Sequence, residues 1–128
     1  MKILVAYYSR SGHTKTMAEA IAQGIKEENV TCELKEISRV GVDELLDYDG
    51  LIFGSPTYYG QMAAEVKRVF DASVKHHGKL SGRVGGAFTS CGGAGCGGET
   101  AVLSILKAFM IHGMIVLGDA HIQHYGPI

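Results

Sequence analysis

An excess of charge of either sign is missing from this sequence: 12 Lys and Arg stand against 13 Asp and Glu, a formal net charge of -1. That balance offers no electrostatic footprint for nucleic acid. Long apolar runs are absent too, and none approaches the roughly 20 residues of a membrane span. The start, "MKILVAYYS", lacks the cleavage region of a secretory signal and reads as a first core strand. Cysteine is scarce. Three residues, two of them inside a glycine tract, make no disulfide framework, and a reducing cytoplasm is the simplest home. No internal repeat, low-complexity tail or linker interrupts the chain. Its 128 residues, 46% of them apolar, suffice for one domain with one sizeable core.

What is present has a regular order. Continuous apolar runs at Ile3 to Tyr8, Leu51 to Gly54, Val84 to Thr89 and Met114 to Leu117 carry the pattern of strands buried on both faces, as in a parallel sheet. A more exposed alternating run spans Val30 to Ile37, with Val30, Cys32, Leu34 and Glu36 on one side. Helical stripes lie between: Met17, Ile21 and Ile25 within Thr14 to Glu28, then Val66, Val69, Phe70 and Val74 from Ala63 onward. Leu103, Leu106, Phe109 and Met110 mark a third helix from Glu99 to His112, closed by Gly113. A short helix is expected at Val42 to Leu46. Right-handed crossovers turn this series into a doubly wound α/β three-layer sandwich, a five-stranded parallel sheet of order 2-1-3-4-5. Ligands of such sheets bind at the carboxyl ends of strands one and three.

Three loops converge on that edge. In "SRSGHT", Ser9, Ser11 and Thr14 supply hydroxyls, Gly12 allows close approach, and the next helix points its free N–H groups inward, which suits a phosphate monoester. In "SPTYYGQM", Pro56 begins a turn and Thr57, Tyr58, Tyr59 and Gly60 offer a platform for a planar heterocycle, with one tyrosine expected to pack on a neighbouring helix instead. In "SCGGAGCGG", five glycines among Cys91 to Gly98 leave successive N–H groups for a carbonyl edge. A phosphorylated flat heterocycle fits the three together, and FMN fits best.

Missing motifs narrow the rivals. The Walker and G-x-G-x-x-G patterns are absent. Ser9 and Ser55-Pro56 stand where a phosphoacceptor receiver needs acids, and the first loop lacks the cysteine of a low-molecular-weight phosphatase. Cys91 and Cys96, with His112, His121 and His124, lack the second paired half of a zinc site, so no metal is expected. His76-His77 reads as a solvated helix end.

The stretches "VAYYSRSGHTKTMAEAIAQG", "DYDGLIFGSPTYYGQM", "AFTSCGGAGCGGET" and "HGMIVLG" resemble the flavodoxin-like superfamily, within it the tryptophan-repressor-binding-protein type of NAD(P)H:quinone oxidoreductases. The resemblance implies an FMN phosphate on Ser9, Arg10, Ser11, Gly12, His13 and Thr14. It implies an isoalloxazine ring held by Thr57, Tyr58 and Tyr59, and a pyrimidine edge and ribityl chain along Ser90, Cys91, Gly92, Gly93, Ala94 and Gly95. His112 matches a family histidine that approaches the flavin, in oligomeric relatives from a neighbouring subunit; capping of its own helix explains it equally well.

The same resemblance implies electrons passing from NAD(P)H through FMN to a quinone or a redox protein, with the flavin carrying the chemistry and no side-chain acid or base assigned. A flavodoxin-type electron carrier is the alternative, and the near-neutral charge favours the enzyme. Two stretches, "ISRVGVDELLDYDG" and "KHHGKLSGRV", are shorter than in the family. The family also runs on into a final helix where this chain ends in "HIQHYGPI". The later strands should then expose apolar surface on the first helix's side, and a homo-oligomer is expected.

Overall fold

The run from Ile3 to Ala6 is buried throughout because layers of apolar side chains cover both of its faces. The computed structural model describes residues Met1–Ile128. It holds one parallel sheet of β1 (Lys2–Tyr7), β2 (Thr31–Glu36), β3 (Gly50–Pro56), β4 (Val84–Ser90) and β5 (Ile115–Val116), in the order β2-β1-β3-β4-β5. The helices are α1 (His13–Glu27), α2 (Ala64–Ala72) and α3 (Gly98–Ile111). This is the doubly wound flavodoxin-like sandwich the sequence leads one to expect.

Alternation along the strands sorts the core into two layers. Leu4, Ala6, Leu51, Phe53 and Ala87 face α2 and α3, where Phe53, Phe70 and Phe109 meet edge-on with ring centroids 5.1–5.3 Å apart. Val5, Ile52 and Phe88 face α1, meeting Ala18 and Ala22, with Cys32 and Leu34 of β2 alongside. Phe88 lies where a side chain on Gly54, its register partner, would project, so the ring requires glycine there.

The α1 layer runs out toward the sheet's far edge. Val84 and its partner Ile115 share that face and are 50% and 57% exposed. These two leave apolar surface open on the first helix's side, and Leu117 and Ile122 further along the chain are more exposed still.

Several local expectations shift. The short helix expected at residues 42–46 is a 3₁₀ helix, Asp43–Asp47, preceded by another at Ile37–Arg39, spans too short to repay α-helix nucleation. β5 keeps only two residues. Beyond it the chain leaves the sheet, and Pro127 takes the edge position by accepting a 3.0 Å bond from Thr89 N–H. His76 is buried, not solvated, and bonds Asp43 Oδ1 at 2.7 Å; Lys75 on the same carboxylate, then His76, lower the Asp43 pKa. The end of α3 follows its sequence signal. Gly113 at φ 77 lets Met114 N–H reach Phe109 O and its own N–H reach Met110 O, the double bond pattern of a glycine-closed helix. No helix is long and apolar enough to cross a membrane.

Candidate functional site

The strand order reverses between β1 and β3, and the loops after β1, β3 and β4 meet there around a cavity of about 660 Å³. Arg10, Ser11, His13, Thr14, Pro56, Thr57, Tyr58, Ser90, Cys91 and Gly92 line it. Such a volume is in the usual range for small-molecule sites, roughly 300–1,000 Å³.

The first loop leaves its donors free at a helix start. Gly12 sits at φ 97, a left-handed conformation that turns the chain sharply into α1. Its N–H bonds Ser9 Oγ at 3.0 Å, which leaves the Ser9 O–H free to donate. The N–H groups of Ser11, His13, Thr14 and Lys15 have no acceptor within the protein; the first helical bond is Thr16 N–H to Gly12 O. No acid occupies the first turn of α1, whereas α2 and α3 carry Glu65 and Glu99 there. The positive end of α1 is therefore free for an outside anion.

Thr14 is buried, and its hydroxyl lies 2.7 Å from Ser90 Oγ, tying the first loop to the third. The second loop is fixed at both ends. Thr57 N–H bonds Ser90 O, and Thr57 Oγ1 meets Thr89 Oγ1 at 2.8 Å. At the other end, Ala63 N–H bonds Ser55 Oγ and Met62 N–H bonds Ser104 Oγ. Between them Tyr58 and Gln61 exchange two 3.0 Å backbone bonds. Tyr59 and Gly60 take φ 51 and 71, the mirror-image turn that needs both central residues left-handed.

That turn keeps Tyr59 from packing on a helix. Tyr58 borders the cavity, and Tyr59 stands fully in solvent, walling an adjoining groove with Arg10, Thr57, Tyr58 and Ala64. Tyr8 packs against the core beside the site. Burial, then Glu65 and Tyr58, push its phenol above the ordinary value, so it remains a donor at neutral pH.

The third loop is open backbone. Gly92 to Gly95 are exposed, and none of the N–H groups from Cys91 to Gly97 donates within the protein. Gly92 reaches the cavity wall; Gly93, Ala94 and Gly95 follow on the rim. Cys91 and Cys96 are paired across this loop, Cα atoms 6.2 Å apart, where the sequence was read as making no disulfide framework. Four glycine or alanine residues between them let the chain double back. Cys32 is the remaining free cysteine. No group of three His, Cys, Asp or Glu comes together as a metal centre.

His112 lies outside the cavity of its own chain. It caps the end of α3 opposite the third loop, about 21 Å along a helix of 14 residues. Ser73 Oγ–H donates to Phe70 O at 2.7 Å, so His112 Nε2–H must donate to Ser73 Oγ, also 2.7 Å away, and Nδ1 is left buried without a partner. Burial, then His77 and His76, lower its pKa, which keeps the ring neutral. The direct approach to a cofactor in the same chain is thus corrected. With Lys67, Phe70, Asp71 and His77 it lines a separate cavity of about 410 Å³.

Residues the sequence reading passed over are the supporting hydroxyls Ser55, Thr89 and Ser104, and the segment Gly126–Pro127 against β4. A polar residue ending a buried apolar run was the available signal for the first two.

A doubly wound sheet with its free helix N-terminus, platform turn and open amide loop at the switch point defines the flavodoxin-like class. Comparison with solved structures agrees: a flavodoxin from the domain Archaea superposes with a TM-score of 0.83 at 33% identity, covering 100% of this chain and 82% of that one. A flavodoxin, WrbA-like protein from Agrobacterium tumefaciens gives 0.78 at 30% identity, covering 89% and 74%. Among sequences, a "NAD(P)H dehydrogenase (quinone)" of Rhodopseudomonas palustris (strain HaA2) is 34% identical over 139 residues, 91% of this chain and 70% of the relative. A protein named "Flavodoxin" in Aquifex aeolicus (strain VF5) is 37% identical over 135 residues, 99% and 73%. The family described as NADPH-dependent FMN reductase matches residues 42–125, and the chain belongs to it. Its wider kinship is the FMN-binding, flavodoxin-like oxidoreductases of the tryptophan-repressor-binding-protein type.

Proposed function

We propose that this chain is a single FMN-binding domain that passes electrons from NAD(P)H to a quinone or similar acceptor, working in the cytoplasm as a homo-oligomer. The observation that carries the reading is the set of unengaged N–H groups of Ser11, His13, Thr14 and Lys15 at a helix start with no acid. When bound, FMN supplies hydride and electron transfer.

The protein's part is to hold and bias it. Ser9, Ser11 and Thr14 hydroxyls, with the α1 amides, would grip the phosphate, and Arg10 and His13 at the rim would add donors. Gly12 makes that approach possible. Thr57, Tyr58 and Tyr59, with Pro56 and Gly60 setting their turn, would flank the ring. The Ser90 to Gly95 stretch, whose N–H groups from Cys91 onward have no partner, would stabilise negative charge on the ring's pyrimidine edge. His112, buried and bonded to Ser73, lies outside such a site in its own chain, and the exposed Val84, Ile115 and Leu117 face supports association.

The test is a titration of the purified protein with FMN, followed by NADH or NADPH and a quinone. Retained flavin absorption with quinone-dependent NAD(P)H oxidation is the expected result. Retained flavin without that oxidation would favour the flavodoxin-type carrier, the reading suggested by the name of the Aquifex aeolicus relative. A protein that takes up no FMN would sink both.

A further inference from the structure

We propose that Cys91 and Cys96 are a thiol–disulfide exchange site whose state sets how tightly the cradle holds its cofactor. The affinity part rests on the FMN reading above; the exchange does not.

The pair sits at the junction of cavity and loop. Cys91 lines the cavity, and Cys96 directly precedes Gly97, the residue that caps α3. Their Cα separation of 6.2 Å is in the range a disulfide spans. Both are half-buried and so within reach of a small reagent. The bridge encloses Gly92, Gly93, Ala94 and Gly95, the exposed stretch whose amides would meet the ring.

Its mechanical effect follows from what else holds that stretch. The second loop is fastened by Thr57, Ser55 and Ser104. The third is held at Ser90, which meets Thr14 Oγ1 and accepts from Thr57 N–H, but from Cys91 to Gly97 no N–H donates within the protein. The disulfide is the connection that ties its two ends across the cavity rim. The start of α3 packs closely here: a Cβ on Gly98 would lie 3.6 Å from Cys91 Sγ. Opening the bridge returns a glycine-rich segment to many conformations, and those must be lost again when the cofactor binds.

The chemistry balances with two molecules of a small thiol as co-reactant. One thiolate attacks a sulfur of the bridge, forming a mixed disulfide and releasing the other cysteine as thiolate. A second thiol molecule then attacks the reagent sulfur of the mixed disulfide and displaces the first cysteine. Two electrons and two protons arrive on Cys91 and Cys96, and the reagent leaves as its disulfide. A low-molecular-weight disulfide runs the sequence backward. Cys32 takes no part: it lies on β2, and burial raises its thiol pKa.

The experiment equilibrates the full chain in glutathione buffers of graded ratio. Thiols are then counted with a maleimide after denaturation, and FMN affinity is measured at each ratio by flavin fluorescence. We expect one thiol, Cys32, in oxidising buffer and three in reducing buffer. FMN should bind on the order of tenfold more weakly in the reduced state, the cost of ordering about one further backbone residue. Cys96→Ser should bind as the reduced protein does at every ratio. Three thiols throughout would overturn the exchange site. Two-step thiol counts with equal FMN affinity would overturn the control while leaving the cofactor reading intact. FMN bound in neither state would overturn the control together with that reading, and the wild-type thiol count would still show whether the pair exchanges.

Discussion

Thr14→Val separates cradle chemistry from fold stability. Valine keeps the shape of this buried residue and has nearly the same helix propensity as threonine, so α1 should be undisturbed. What disappears is the hydroxyl 2.7 Å from Ser90 Oγ. Without FMN the lost bond is neutral, and Ser90 faces a cavity where water can replace its partner. The cost should fall near the low end of about 0.5–1.5 kcal/mol. With FMN bound, the same hydroxyl pair would present an O–H to a phosphate. A hydrogen bond to a charged group is worth about 1.5–3 kcal/mol, which converts to roughly 13- to 160-fold in Kd. The assay is flavin fluorescence quenching for affinity, beside urea unfolding of the FMN-free protein for stability. Thr14→Ser, which retains the hydroxyl, should recover most of the affinity. A Thr14→Val protein that unfolds normally and binds FMN within about threefold of wild type would refute the placement of the phosphate at α1.

Three further outcomes follow from the geometry. Gly12→Ala should lose about 1–2 kcal/mol in urea unfolding, because φ 97 is left-handed and nothing lies near the added Cβ to share the blame; an unchanged midpoint would be contrary. Lys2, Tyr48 and Lys35 hold the Glu33 carboxyl down at about 2 against an ordinary 4.5, so its contribution is complete above 4.5 and lost as pH falls through about 2. Acid unfolding of Glu33→Gln should be flatter over that window, and an identical acid limb would contradict the assignment. The His112 pKa is lowered by burial, so its neutral form stabilises the fold fully above the ordinary 6.5 and less as pH drops below it. His112→Gln, whose amide can still donate to Ser73, should keep neutral-pH stability and shed that slope; a slope that persists would place its source elsewhere.

The sheet order was readable because Ile3 to Ala6, Leu51 to Phe53 and Ala87 to Thr89 have no polar side, which only a covered parallel strand permits. The closure of α3 was readable because His112-Gly113 is a local signal acting through local bonds. What stayed hidden depends on distant chain. β5 is short because Pro127, ten residues beyond the expected strand, occupies the edge beside Thr89. His76 looked solvated until Asp43, 33 residues away, turned it inward. Two cysteines five apart in a glycine tract could be thiols, ligands or a bridge; only the path of the loop brings their Cα atoms to 6.2 Å.

The backbone itself distinguishes a site from a set of ordinary turns. Buried polar side chains of this protein are satisfied apart from the Nδ1 atoms of His76 and His112, both at the far end of α2 and α3. At the switch point the pattern is reversed. The loop that would flank a ring is fastened by hydroxyls at both ends, while the loops that would hold a phosphate and a carbonyl edge keep their amides unspent. All three helices begin without a side-chain cap, so a missing cap alone would say nothing. The difference is the carboxylate. Glu65 and Glu99 offset the positive starts of α2 and α3, and α1, the one helix that starts between β1 and β3, has none. An anion supplied from outside would complete that helix, and the planar group it carries would then lie between a fixed turn and an open loop.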